Sequence, residues 1–212
     1  ARHYGCRVTT TTLSAEQLKH ARERVEREGL GEQVTLLLED YRDLEGQYDK
    51  LVSVEMIEAV GHEYLPTYFA SLNRLLKPEG KLLIQAITMT DQRYEPYRKG
   101  VDFIQRYIFP GGCLPSVSEM CRHLKEQTDM TLTRLQDYGH HYAETLKIWA
   151  DRFHQLEPAL KRLGYSQDFH RLWAFYFAYC EGGFREGTIG LVHFEAAKPG
   201  ARRCLNGNGR NC

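Results

Sequence analysis

Two glutamates three residues apart, Glu55 and Glu58, stand in the stretch YDKLVSVEMIEAVGHEYL. The run opens as a buried strand should, with Leu51, Val52 and Val54 close together, and the acids come where the apolar residues stop. In open α/β sheets ligands bind outside the carboxyl ends of the strands, so an acid placed there can hold or move a proton on something bound. The plain alternative for Glu58 is an acid at a helix start, satisfying backbone N–H groups. The six cysteines offer no competing chemistry. They include no Cys-x-x-Cys pair, which argues against zinc, and they read as reduced and cytoplasmic.

The elements that would position these acids can be read from the apolar periodicity. Arg7–Thr12 is a β-branched strand. Ser14 to Gln17 has the form of a capping box, and Leu18, Ala21 and Val25 give helical spacing to about Glu28. QVTLLLED and YDKLVSVE are the next strands. A helix over 63–76 carries Leu65, Phe69, Leu72 and Leu76 on one face, and KLLIQAIT is a fourth strand. Strands alternating with helices, each near-continuously apolar, predict an α/β fold with a parallel sheet covered on both faces.

The second half changes character. Over 91–128 charged residues interleave with Tyr94, Tyr97, Phe103, Tyr107 and Phe109, as in an aromatic-rich helical insertion laid over the ligand edge. A second capping box, Ser116 to Glu119, opens a helix to about Gln127. MTLTRLQDYG reads as a strand, 142–163 and 167–180 as two helices, and TIGLVHFEAA as a closing strand. Residues 199–212, rich in Gly, Asn and Arg and holding Cys204 and Cys212, have the composition of a disordered tail. Lys plus Arg and Asp plus Glu are 28 each, so the basic excess of a nucleic-acid binder is missing.

TLSAEQ, EDYRDL, SVEMIEAVGHEYL, LLKPEG, YIFPGGCLPS, HYAETLKIW and YCEGGF follow one another in this chain. The series resembles the cyclopropane-fatty-acyl-phospholipid synthases and the related mycolic acid cyclopropane synthases, from about Gly5 to Lys198. The resemblance implies a Rossmann-like sheet that binds S-adenosyl-L-methionine. It also implies methyl transfer to a cis double bond of an acyl chain, followed by proton loss to a bicarbonate ion held in the site. On that pattern Glu58 holds the bicarbonate, Tyr142 and Gln85 donate to it, and the Ile87 backbone faces the same pocket. Many bacterial members have His where this chain has Gln85, and glutamine cannot gain charge or take a proton. Cys180 matches a candidate active-site thiol; the other reading is a small buried hydrophobe at a helix end. For Tyr142 the other reading is a packing tyrosine at a helix start. Related enzymes have a small residue in place of Glu55.

The same resemblance places the cofactor on Thr12, Leu13, Ser14 and Gln17 and on the loop Asp40, Tyr41, Arg42, where an acid would accept from the adenine amine and Tyr41 would stack. For Ser14 and Gln17 the capping box is the other reading. The glycine-rich loop and first strand of the family would fall before Ala1, so the chain is expected to be the carboxyl-terminal part of a methyltransferase domain spanning 1–198. The expected partners are unsaturated phospholipids at the membrane surface, with a homodimer left open. Methyl- or methylene-branched products, a non-catalytic lipid- or partner-binding remnant, and a small-molecule methyltransferase are the rival readings.

Overall fold

The computed structural model describes residues 1–201; the expectation for the tail from 202 onward, with Cys204 and Cys212, lies outside the described residues. The chain divides into two compact units, Ala1–Gln47 and the remainder from Tyr48. In the first, the threonine-rich run forms β1 (Val8–Thr11), because β-branched side chains are stiff and suit a pleated surface. It pairs in parallel with β2 (Val34–Leu37), Val8 opposite Val34, and α1 (Ala15–Arg27) makes the crossover. Ser14 caps α1 by accepting from the Gln17 N–H at 3.2 Å. The Gln17 side chain does not complete the box; its Oε1 accepts from the Thr12 hydroxyl at 2.7 Å.

The second unit is built on a four-stranded sheet of β3 (Tyr48–Val54), β4 (Leu76–Met89), β5 (Thr131–Asp137) and β6 (Ile189–Ala197), in the order β3-β4-β6-β5. β3 and β4 are parallel, with Val54 opposite Gln85. β6 runs antiparallel to both β4 and β5, so the sheet expected to be parallel is a mixed one. One helix between two strands returns the chain to its starting end; two long helices, α6 (Gly139–Gln155) and α8 (Gln167–Arg185), separate β5 from β6 and bring it back at the other. Burial on both faces also fails at β3. It is an edge strand of its sheet and leaves Val52 62% and Val54 60% exposed.

Helix α2 (Leu65–Leu75) buries Leu65, Phe69 and Leu72 as its periodicity requires, along with Tyr68, whose hydroxyl donates to Ser53 Oγ at 2.8 Å; Leu76, expected on the same face, is instead extended and begins β4. The 91–128 segment forms α3 (Asp91–Arg98), α4 (Phe103–Tyr107) and α5 (Val117–Gln127). α4 opens on a complete capping box, Asp102 with Gln105, which the sequence reading did not single out. The helix expected over 142–163 is two. α6 stops at Leu156 and α7 (Glu157–Arg162) begins with Pro158 in its first turn, because proline disfavours helical backbone in the residue before it and has no N–H to continue the ladder. α6, α8 and β6 enclose one core, around Ala143, Leu146, Phe177, Phe184 and Leu191. No helix among the described residues is long and apolar enough to cross a membrane.

Candidate active site

The chain leaves β3 through Glu55, whose φ is +48°; it is the one non-glycine residue among those described with a left-handed backbone. A side chain pays for that conformation in steric strain, so its presence at a strand's carboxyl end points to a functional constraint. The Glu55 N–H still donates to the Gln85 carbonyl at 2.9 Å, extending the parallel ladder by one residue. Two short 3₁₀ turns follow, Ile57–Ala59 and His62–Tyr64. The first turns Glu58 back toward β4, where its Oε1 accepts from the Ile87 N–H at 2.6 Å. Its Oε2 is buried and has no hydrogen-bond partner among the described residues. Burial pushes this carboxyl up to about 7; hydrogen bonds from backbone N–H groups oppose the rise, and the Glu55 charge adds to it.

Glu55 is held from both sides. Its Oε1 accepts from the Gln85 amide at 2.8 Å, and its Oε2 receives a longer contact from the Tyr142 hydroxyl at 3.5 Å. The other end of Gln85 faces His193, with Oε1 and Nε2 2.9 Å apart, so the imidazole presents an N–H there. Gln85 and His193 are directly opposed across the β4–β6 ladder, which puts their side chains on one face. Neither His193 nor the closeness of Glu55 to Gln85 was singled out from the sequence, and no local signal would have found them.

Tyr142 stands in the first turn of α6, and Cys180 and Tyr176 lie one turn apart on α8. Burial raises the Tyr142 hydroxyl above its ordinary range, with the Glu55 charge adding to the effect. Burial also pushes Tyr176 and the Cys180 thiol up to about 12 each. Both stay protonated near neutral pH, which does not suit Cys180 to a thiolate role. The four-residue spacing on a helix could have pointed to Tyr176.

Glu55, Glu58, Ile87, Tyr142, Tyr176 and Cys180 all line one cavity of about 1270 Å³. Gln85 does not line it directly but reaches it through Glu55. Most of the remaining wall is apolar, from Met89 of β4, Ile104 of α4, the loop through Ile108 and Phe109, and Ile189 of β6. The volume exceeds the ~300–1,000 Å³ usual for small-molecule sites.

The expected cofactor residues belong to the first unit. Thr12, Ser14 and Gln17 form a closed set, the Ser14 N–H donating to Thr12 Oγ1 at 3.1 Å. Leu13 is exposed beside them. Asp40 is engaged by Arg42, whose N–H, Nε and guanidinium donate to it at 2.8–2.9 Å, and this pairing lowers its carboxyl to about 2. Three of a carboxylate's ~four acceptor sites are thereby filled, leaving one. Tyr41 is half-buried, with the Arg42 guanidinium 5.9 Å from its ring centre.

Two carboxylates thus stand at the carboxyl end of a parallel strand pair, on the wall of a large and mainly apolar cavity in an α/β fold. The chain belongs to the mycolic acid cyclopropane synthetase family, whose model matches residues 1–194. It is 43% identical over 196 residues to the tuberculostearic acid methyltransferase UfaA1 of Mycobacterium tuberculosis, covering 92% of this chain and 46% of that protein. It is 40% identical over 193 residues to the cyclopropane-fatty-acyl-phospholipid synthase of Escherichia coli K12, covering 90% and 47%. The chain thus spans about half the length of these relatives. The cyclopropane synthase MmaA2 of Mycobacterium tuberculosis superposes with a TM-score of 0.82 at 28% identity, covering 93% of this chain and 72% of that one. The cyclopropane synthase CmaA1, solved with SAH and CTAB, gives 0.81 at 27%, covering 91% and 70%.

Proposed function

We propose that this chain is part of an S-adenosylmethionine-dependent methyltransferase that adds one carbon across the cis double bond of an unsaturated phospholipid acyl chain, closing a cyclopropane ring. It works from the cytoplasmic side, at the membrane surface. The observation that carries the reading is the apolar cavity with two carboxylates on its wall, supported by the likeness to lipid-modifying relatives. An acyl chain needs an apolar channel far more than polar anchors, and proton loss at the end of the reaction needs an acceptor kept away from water.

When bound, S-adenosylmethionine supplies an electrophilic methyl group. Thr12, Leu13, Ser14, Gln17, Tyr41 and Arg42 are the residues proposed to hold it, with the one remaining acceptor site of Asp40. The cavity's rings, Tyr97, Tyr142 and Tyr176 among them, can face a cation on the acyl chain, each worth about 0.5–2 kcal/mol. Glu58, near half-protonated at neutral pH, fixes the end of the site by its bond to Ile87. Bicarbonate does not fit the donors that the resemblance assigns to it. The Ile87 N–H is given to Glu58 and the Gln85 amide to Glu55, while the Tyr142 hydroxyl leans toward Glu55 at 3.5 Å.

The test is incubation with methyl-labelled S-adenosylmethionine and vesicles of a cis-unsaturated phospholipid, then mass spectrometry of the released fatty acids. Labelled product with one added carbon that resists hydrogenation as a ring supports the reading. Label in a hydrogenatable methylene-branched chain would replace the ring-forming step, and label absent from lipid would sink the reading.

A further inference from the structure

We infer that Glu55 is itself the base of this site, its carboxylate standing in place of a free bicarbonate ion. The inference rests on the lipid-modifying reading proposed above for its chemical step, and on geometry alone for its location. A carboxylate and a bicarbonate share the planar, two-oxygen acceptor shape. Here the side chain's two oxygens take hydrogen bonds from Gln85 Nε2 and the Tyr142 hydroxyl, two of the donors the anion would need. Those bonds close a chain through Gln85 to His193, so Gln85 is fixed at both ends with its amide nitrogen toward Glu55. The left-handed backbone at Glu55 is what turns a residue at the end of β3 into this position.

The second carboxylate is arranged for a different duty. Glu58 is neutralised in part by burial, so the pair need not hold two full charges in one cavity. Both Glu55 oxygens face donors, Gln85 Nε2 and the Tyr142 hydroxyl, the arrangement that suits an acceptor of a proton. Once the added carbon is attached, the acyl chain bears one positive charge. Glu55 takes one proton from that carbon, the C–H electron pair becomes the new C–C bond, and a neutral carboxylic acid and a neutral acyl chain remain.

Three forms of the protein separate this from an anion-dependent site: wild type, Glu55→Gly and Glu55→Gln. Glycine suits φ +48° and opens room for an anion; glutamine fills the same space without basicity. Binding of carbon-13 bicarbonate, followed by NMR at millimolar concentration, should be absent in wild type, present in Glu55→Gly and absent in Glu55→Gln. Methyl transfer to unsaturated vesicles in carbon-dioxide-free buffer should be full in wild type and about 10²–10⁴-fold lower in both variants. Added bicarbonate should restore Glu55→Gly at least in part and leave Glu55→Gln inactive. Bicarbonate binding to the wild type, or wild-type activity that disappears in carbon-dioxide-free buffer and returns with bicarbonate, would overturn the inference. A wild type that ignores bicarbonate in the binding experiment yet modifies no lipid in either buffer would overturn the base role through failure of the lipid reading, while supporting Glu55 as occupant of the anion position.

Discussion

Removing the charge from Glu58 tests the physics of the site without any assay of activity. Its carboxyl moves from an ordinary 4.5 to about 7 in the folded chain, burial being the main cause. At about 1.4 kcal/mol per pH unit that corresponds to about 3 kcal/mol, or about 2–3 once partial contact with water is allowed for. The direction is fixed by proton uptake. Below about 4.5 the group is neutral in folded and unfolded chains and contributes no difference. Between 4.5 and 7 the unfolded chain releases the proton while the folded chain keeps it, so stability falls as pH rises, and above 7 the whole penalty is present. Glu58→Gln keeps an oxygen for the Ile87 N–H and cannot ionise, so its stability should not show this fall.

The two tryptophans of the chain, Trp149 and Trp173, both lie in the unit that holds Glu58, so their fluorescence reports its unfolding. In urea, the variant should match the wild type to within about 1 kcal/mol at pH 5 and exceed it by about 2–3 kcal/mol at pH 8. For a slope of ~1–3 kcal/mol per M, that is a gain of about 0.7–3 M in midpoint. A gap that stays the same from pH 5 to pH 8 would refute the account, since a carboxyl that titrates normally in the fold cannot produce the divergence.

Other substitutions read the local geometry. Glu55→Ala and Glu55→Gly delete the same carboxylate, but only alanine keeps a Cβ in the left-handed region; Glu55→Gly should be the more stable by about 0.5–1 kcal/mol in the same urea experiment. At Gly190 of β6 a new Cβ would lie 2.7 Å from Asp137 Oδ2 and 3.2 Å from Thr88 Oγ1, and Asp137 is tied to the Gly139 N–H at 2.6 Å; Gly190→Ala should cost about 1–3 kcal/mol. Iodoacetamide at pH 8, followed by peptide mass spectrometry, should label exposed Cys6 well before Cys180, whose thiol is held up to about 12; equal rates would contradict its burial.

Local sequence signals found the local structure. Ser14, Ser116 and the apolar spacing of α2 mark real helix starts and faces, because caps and periodicity act over a few residues. Strand direction was not legible in the same way. The two long helices between β5 and β6 are legible in the sequence, but the direction of β6 is set by its pairing with β4 and β5, which no local signal carries. Glu58 could be placed at the ligand edge because it follows an apolar strand. The burial of its Oε2 is a fact of tertiary packing and leaves no mark in the sequence.

Glu55 shows why a site position is best judged with its neighbours. Next to a small residue, Gln85 would present its amide nitrogen to whatever anion entered; next to Glu55, the same nitrogen is already engaged at 2.8 Å. The glutamine and the glutamate are 30 residues apart in the chain but adjacent across the β3–β4 ladder, and His193 is fixed to them by the β4–β6 register. The three act as one unit, so changing Gln85 alone should disturb the orientation of Glu55 and His193 together. Gln85→Ala frees Glu55 Oε1 and the His193 N–H at once, whereas Glu55→Gly leaves the Gln85–His193 contact in place. A double-mutant cycle between positions 55 and 85 should therefore show a coupling of about 0.5–3 kcal/mol, and additivity there would mean that the hydrogen bond does not hold the two together in solution.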